Sequence, residues 1–185
     1  MFRLVDPDPP FQRSFLEAAD EFVAAGQEHY AGIVSMPAEP GFPGVEFTRE
    51  GLEDPEQFAR FTAYLLAERL PDTPRPNGWV PYTVKWIVEG DEYVGRVSLR
   101  HVLTDSLLTW GGHIGYGVRP SARGRGAATA GLAAMVAVAA DLGIDPVLVT
   151  CDVDNVASRR TIERNGGVYE DTRQGKLRYW VPTTG

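Results

Sequence analysis

The chain has one cysteine, three histidines and no basic excess, and each shortage closes off a class of function. With Cys151 alone there is no intrachain disulfide and no multi-cysteine metal site, so no metal ligand set is expected. Eighteen Lys and Arg against 25 Asp and Glu leave a net charge of −7, which argues against a general nucleic-acid binder or a binder of anionic membranes. The most apolar stretch, Gly131 to Ala140, is too short to span a bilayer and ends at Asp141. The opening MFRLVDPDPP has no apolar signal core, which leads to the expectation of a cytoplasmic protein. What is present is ordinary globular material: 185 residues, 43% hydrophobic and 23% charged, the size of one domain with a proper core.

Helical spacing of Phe11, Phe15, Ala18, Phe22 and Val23 predicts a first helix, stopped by Gly26. Gly32 to Gly44 reads as a Gly- and Pro-rich loop of a length that often forms a lid or binding loop. Asp54 is placed to cap a second helix with Pro55 at its first position. After Pro81 the period changes to two, and Tyr82–Val88 and Tyr93–Leu99 predict a hairpin about Gly90-Asp91. His113–Val118 reads as a further strand, followed by an Arg- and Gly-rich turn and a long Ala-rich helix ending at Gly143. A buried strand Val147–Cys151, a helix Asn155–Asn165 stopped by Gly166-Gly167, and two closing strands complete an α/β (α+β) pattern.

The turn Arg119-Pro-Ser-Ala-Arg-Gly-Arg-Gly126 joins a strand to a helix, a setting suited to an anion. The first N–H groups of a helix are unpaired, the macrodipole is positive there, and glycine lets a phosphate approach the backbone. It is neither a P-loop, since Arg125-Gly126-Ala127 lacks Gly-Lys-Ser/Thr, nor a dinucleotide fingerprint, since Thr129 fails at the third glycine.

Arg123-x-x-Gly126-x-Ala128 matches the Arg/Gln-x-x-Gly-x-Gly/Ala signature of the GCN5-related N-acetyltransferases, the GNAT superfamily. Asn155-Val-Ala-Ser158, with the Asn165-Gly166-Gly167 turn that follows, is similar to that family's second cofactor motif. The resemblance covers roughly residues 80–181 and is closest to a bacterial branch known only as predicted acetyltransferases. It implies one GNAT domain over 1–185, a mixed twisted sheet of about six to seven strands with helices on both faces. Residues 80–181 would form the hairpin and acetyl-CoA-binding core, and the helical part, 1–79, would shape the acceptor site.

The resemblance further implies acetyl-CoA as cosubstrate, gripped by Arg123, Gly124, Arg125, Gly126, Ala127, Ala128, Asn155 and Ser158. The pantetheine arm would lie along Tyr116, Gly117 and Val118 like an added strand. The function implied is acetyl transfer to a primary amine of a small molecule or peptide by direct attack in a ternary complex. The rival is a non-catalytic acyl-CoA-binding sensor on the same fold. One position departs from the pattern: where many members carry a proton-donating tyrosine, seven residues after the motif asparagine, this chain has Ile162.

Deprotonating an amine calls for a base or a proton-conducting water chain, and the candidate bases are His113, beside Gly115 and Gly117, whose other reading is a structural histidine bonded to backbone, and Asp152 at a strand end. Ser158, Tyr169 or water would stand in for the missing acid, or the thiolate would leave unassisted. Asp154 reads as the cap of the following helix, and Cys151 as a small buried hydrophobe rather than a nucleophile. The acidic net charge leans the acceptor toward cations, and a homodimer stays open.

Overall fold

The computed structural model describes residues 1–184. A seven-stranded sheet organises the molecule, with order β1-β4-β5-β6-β7-β9-β8. Its strands are β1 (Phe2–Val5), β4 (Tyr82–Glu89), β5 (Glu92–Arg100), β6 (Ile114–Val118), β7 (Val147–Asp152), β8 (Val168–Arg173) and β9 (Lys176–Val181). All neighbours are antiparallel except β6 and β7, which run parallel. The loop expected over 32–44 contains part of a second, small sheet, β2 (Ser35–Met36) with β3 (Val45–Glu46). Strands of two residues have no period to read, which is why the sequence shows only a loop there.

Helices α1 (Gln12–Ala24) and α2 (Pro55–Ala67) cover one face of the sheet. The inward row of α1, Phe15, Ala18, Ala19 and Phe22, sits at the i, i+3, i+4, i+7 spacing and is buried throughout. Phe15 is 1% exposed and stacks on Trp86 of β4 with centroids 5.3 Å apart. Truncating Phe15 to alanine would cost about 3–5 kcal/mol, the usual penalty for emptying a buried aromatic site. Asp54 caps α2 as expected, its carboxylate accepting the Glu56 N–H at 2.9 Å.

Helices α3 (Ala127–Asp141) and α4 (Val156–Arg164) belong to the other face. Their core joins Leu132, Met135 and Ile162 to Val97, Leu99, Ile114 and Val149. Alanines let α3 lie close to the sheet, and an added Cβ at Gly131 would sit 2.6 Å from Ile87 Cδ1. The helix ends where Gly143, at φ +72°, turns the chain and Ile144 N–H bonds back to Ala139 O.

Candidate active site

The parallel pair β6–β7 stays in register at one position only, Ile114 opposite Val149. Beyond it the strands part, and a cleft of about 830 Å³ opens between them, running from Arg100 and Trp110 to the start of α3. Backbone alternation decides which groups face the gap. Arg100 N–H donates to His113 O and Arg119 N–H to Val94 O, so Gly115, Gly117 and Arg119 point their amides at β5, while the His113 backbone N–H, just before the strand, turns to Leu148 O of β7. The amides of Tyr116 and Val118 therefore point at the gap, whereas the Gly117 N–H, grouped with them on sequence grounds, does not.

At one end of the cleft Gly124 and Gly126 adopt φ +75° and +89°, and no heavy atom lies within 4 Å of where their Cβ atoms would stand. Gly126 is the N-cap of α3, and no side chain caps that end. The leading amides of a 15-residue helix thus face the cleft through Ala127 and Ala128, an arrangement fitted to a phosphate. Arg123 lines the cleft too; its Nε donates to Val118 O at 3.0 Å, one Nη donates to Gln27, and its guanidinium covers the Phe22 ring. The Arg125 side chain corrects the sequence expectation: it pairs with Glu89 and lies over Phe2, outside the cleft lining. Only its backbone stays in the turn.

Opposite the turn, Asn155 caps α4, its Oδ1 accepting the Ser158 N–H at 3.0 Å. Asp154, expected as that cap, is not. Ser158 Oγ lies 2.7 Å from the Tyr116 hydroxyl, and both residues line the cleft. Burial pushes the Tyr116 phenol up to about 12, so it carries its proton at neutral pH. Nothing local in sequence joins Tyr116 to Ser158, and the pairing emerges only when β6 packs against α4. Ile162 is fully buried in the core behind them. Tyr169 is 52% exposed and bonded to Thr172, away from the cleft.

The two candidate bases are placed differently. His113 is buried just before β6, its Nδ1 accepting the Leu148 N–H at 2.8 Å while its own N–H donates to Leu148 O. The lone pair a base needs is occupied, burial and the nearby Arg100 charge hold the imidazole down to about 4, and His113 does not line the cleft. It is a structural clamp between β6 and β7. Asp152 does line the cleft, ion-paired to Lys176 Nζ at 2.5 Å. Cys151 is 6% exposed, its thiol pushed up first by burial and then by the Asp152 charge. Both causes oppose a thiolate.

A mixed seven-stranded sheet, splayed at its one parallel pair beside an uncapped helix start, defines a recognisable class of group-transfer fold. The model of the acetyltransferase (GNAT) domain matches residues 27–168, and the chain belongs to that family. Among solved structures, the fold is similar to the microcin C7 self-immunity acetyltransferase MccE in complex with acetyl-CoA and AMP, at TM-score 0.61 and 15% identity over 98% of this chain and 92% of that one. It is similar to Mycobacterium smegmatis RimJ in complex with CoA-disulfide, at TM-score 0.60 and 19% identity over 98% and 80%. It also resembles the Salmonella typhimurium acetyltransferase that modifies the N-terminal serine of ribosomal protein L7/L12, at TM-score 0.54 and 17% identity over 97% and 93%. No curated protein matches the sequence. Among the described residues no helix is long and apolar enough to cross a membrane.

Proposed function

We propose that the protein is an acetyl-CoA-dependent N-acetyltransferase acting on a primary amine of a small molecule or peptide. The observation that carries this reading is the splay of β6 from β7 beside the uncapped, glycine-led start of α3. The amides of Gly124 to Ala128 would hold the pyrophosphate, helped by Arg123. The amides of Tyr116 and Val118 would pair with the pantetheine arm as a partner strand would. Acetyl-CoA supplies an activated thioester and leaves as a thiol.

This chain's residues then divide the remaining work. The Val118 N–H, aimed into the gap, donates to the thioester carbonyl oxygen and favours charge building there. The Tyr116 hydroxyl, kept protonated and joined to Ser158, gives its proton to the departing sulfur as the amine nitrogen bonds the acetyl carbon and the C–S bond breaks. In this reading Tyr116 occupies the role that Ile162 vacates. With His113 clamped, the incoming amine sheds its proton to water. Holding amine and thioester in one complex provides most of the acceleration. A cytoplasmic setting, where acetyl-CoA is at hand, goes with this reading.

The test is thiol release from acetyl-CoA against a panel of amines, with mass spectrometry of the products. Amine-dependent release and a product heavier by one acetyl group are expected. Tight CoA binding with no turnover across the panel would instead identify a sensor module.

A further inference from the structure

Beside the cleft lies a second cavity of about 500 Å³, and Arg100 is the one residue common to both linings. Its size suits a small ligand or the end of a peptide. The N-terminal third supplies part of its wall through Ile33, Val34, Met36 and Trp79, and β5 supplies its floor through Arg96, Ser98 and Arg100. Residues an even number apart on a strand share a face, so both guanidinium groups rise from one side of β5.

The charge in this cavity is opposite to that of the chain. The protein is acidic, at −7, yet no Asp or Glu lines the cavity among the described residues. Other part-buried cations of the molecule have carboxylate partners: Arg75 with Glu68, Lys85 with Asp6, and Arg119 with Glu21. Arg96 and Arg100 have none among the described residues. Arg100 donates one Nη to Gly111 O and Gly112 O at 3.1 and 3.3 Å, which fixes its direction without neutralising it. The Arg96 guanidinium makes no hydrogen bond among the described residues, although its stem is held against Gly32, where an added Cβ would stand 3.2 Å from Cδ. Burial together with the neighbouring Arg96 charge lowers the proton affinity of Arg100, so the pair is mutually repulsive as it stands. Two like charges held on one floor without counter-charge are a cost that an anion would relieve. A guanidinium offers the planar, two-pronged donor set that carboxylates and phosphates accept.

We infer that this second cavity is the acceptor site and that it selects amines carrying a carboxylate or phosphate, bound by Arg96 and Arg100 over an apolar wall. The inference rests on the acetyltransferase reading for the word acceptor, and it reverses the lean toward cations drawn from net charge. Arg96, which is absent from the cleft lining, sets the preference; Arg100 marks the passage between the two sites.

Calorimetry on the purified protein separates the two claims. Titration with CoA comes first: no binding overturns the acetyltransferase reading, and the anion titrations are then run on the free protein. Ala-Glu amide and phosphoethanolamine are each expected to bind at least tenfold tighter than their neutral-headed counterparts, Ala-Gln amide and ethanolamine. Which of the two pairs differs more tells carboxylate from phosphate. Arg96→Met, which keeps the stem against Gly32, is expected to erase the preference by roughly 10- to 100-fold, the loss of a hydrogen bond between charged groups, with CoA affinity unchanged. Arg96→Lys should retain part of the preference. Equal binding of charged and neutral members by the wild type, binding of none of the four at 10 mM, or a preference that survives in Arg96→Met each overturns the inference.

Discussion

Replacing Gly126 by valine tests the anion turn most directly, and the structure supplies both the magnitude and the control. Gly126 holds φ +89°, where a β-branched side chain is strained by about 1–3 kcal/mol. With no heavy atom within 4 Å of the new Cβ, no clash is added in the free protein. At about 2–4 °C per kcal/mol for a chain of this length, the melting temperature should fall by roughly 2–12 °C. The loss on the ligand side is separate. A side chain at the helix start keeps a phosphate from the leading amides, and each charged hydrogen bond forfeited costs about 1.5–3 kcal/mol, or roughly 10- to 150-fold in affinity. At a CoA concentration of 100 times the wild-type Kd, the wild type should gain ~2.7 kcal/mol of stability. A variant weakened about 100-fold should gain only ~0.4 kcal/mol at the same concentration. Gly143→Val is the control, since Gly143 has φ +72°, equally open surroundings and a position at the far end of the same helix. Thermal melts with and without CoA should show similar losses of stability in the two variants but a CoA response only in Gly143→Val. Equal CoA responses would refute the placement of the pyrophosphate.

Tyr116→Phe removes the proposed proton donor and should lower turnover by about 10²–10³ with CoA affinity within threefold; wild-type turnover would return Tyr116 to a packing role. His113→Ala should leave turnover and its pH profile intact while costing about 1–3 kcal/mol in stability, because the Leu148 N–H loses its acceptor. Since the folded His113 sits at about 4, below the ordinary 6.5, its contribution is full above pH 6.5 and is lost as the pH falls toward 4. That pH-dependent loss, at most about 3 kcal/mol, should vanish from denaturant melts of the variant. Cys151→Ala should keep most of the activity, with intersecting initial-velocity patterns; parallel patterns and an acetylated Cys151 would establish a covalent route instead.

Much of this arrangement is written locally. The apolar row of α1, the Asp54 cap and the change of period at Pro81 are short-range signals, and the structure follows them, except that Phe11 stands just before α1 and Val23 faces solvent. The glycine turn is local as well, because positive φ and an open helix start need no distant partner. What the sequence hid depends on contacts between distant residues. The acceptor on His113 Nδ1 is filled by Leu148, 35 residues away, and Arg125 turns to Glu89, 36 residues back. Neither partner can be seen from the motif, so a histidine beside two glycines looks like a base and a motif arginine looks like a phosphate ligand. The arginine pair on β5 did carry a signal. Arg96-Val-Ser-Leu-Arg100 alternates apolar and polar residues, which places both arginines on one face, but only the folded chain shows that no carboxylate of the described residues meets them.

The two cavities also account for the composition of β6. Its even-numbered residues, Ile114, Tyr116 and Val118, pack toward α3 and α4, and its odd-numbered ones are glycines. A Cβ at Gly117 would meet Tyr30 at 3.2 Å, and one at Gly115 would meet Arg100 Nη1 at 3.6 Å. Side chains there would thicken the wall at the place where the gap beside β6 meets the floor made by β5. Such a wall would separate an amine over Arg96 from a thioester beside Val118, and reacting atoms must come within about 3–3.5 Å. Glycine at both positions keeps that distance attainable. The same thinness requires rigidity from elsewhere, which β6 gains from its full register with β5 and from the His113 backbone N–H bonded to Leu148 O of β7, a bond that His113→Ala leaves in place.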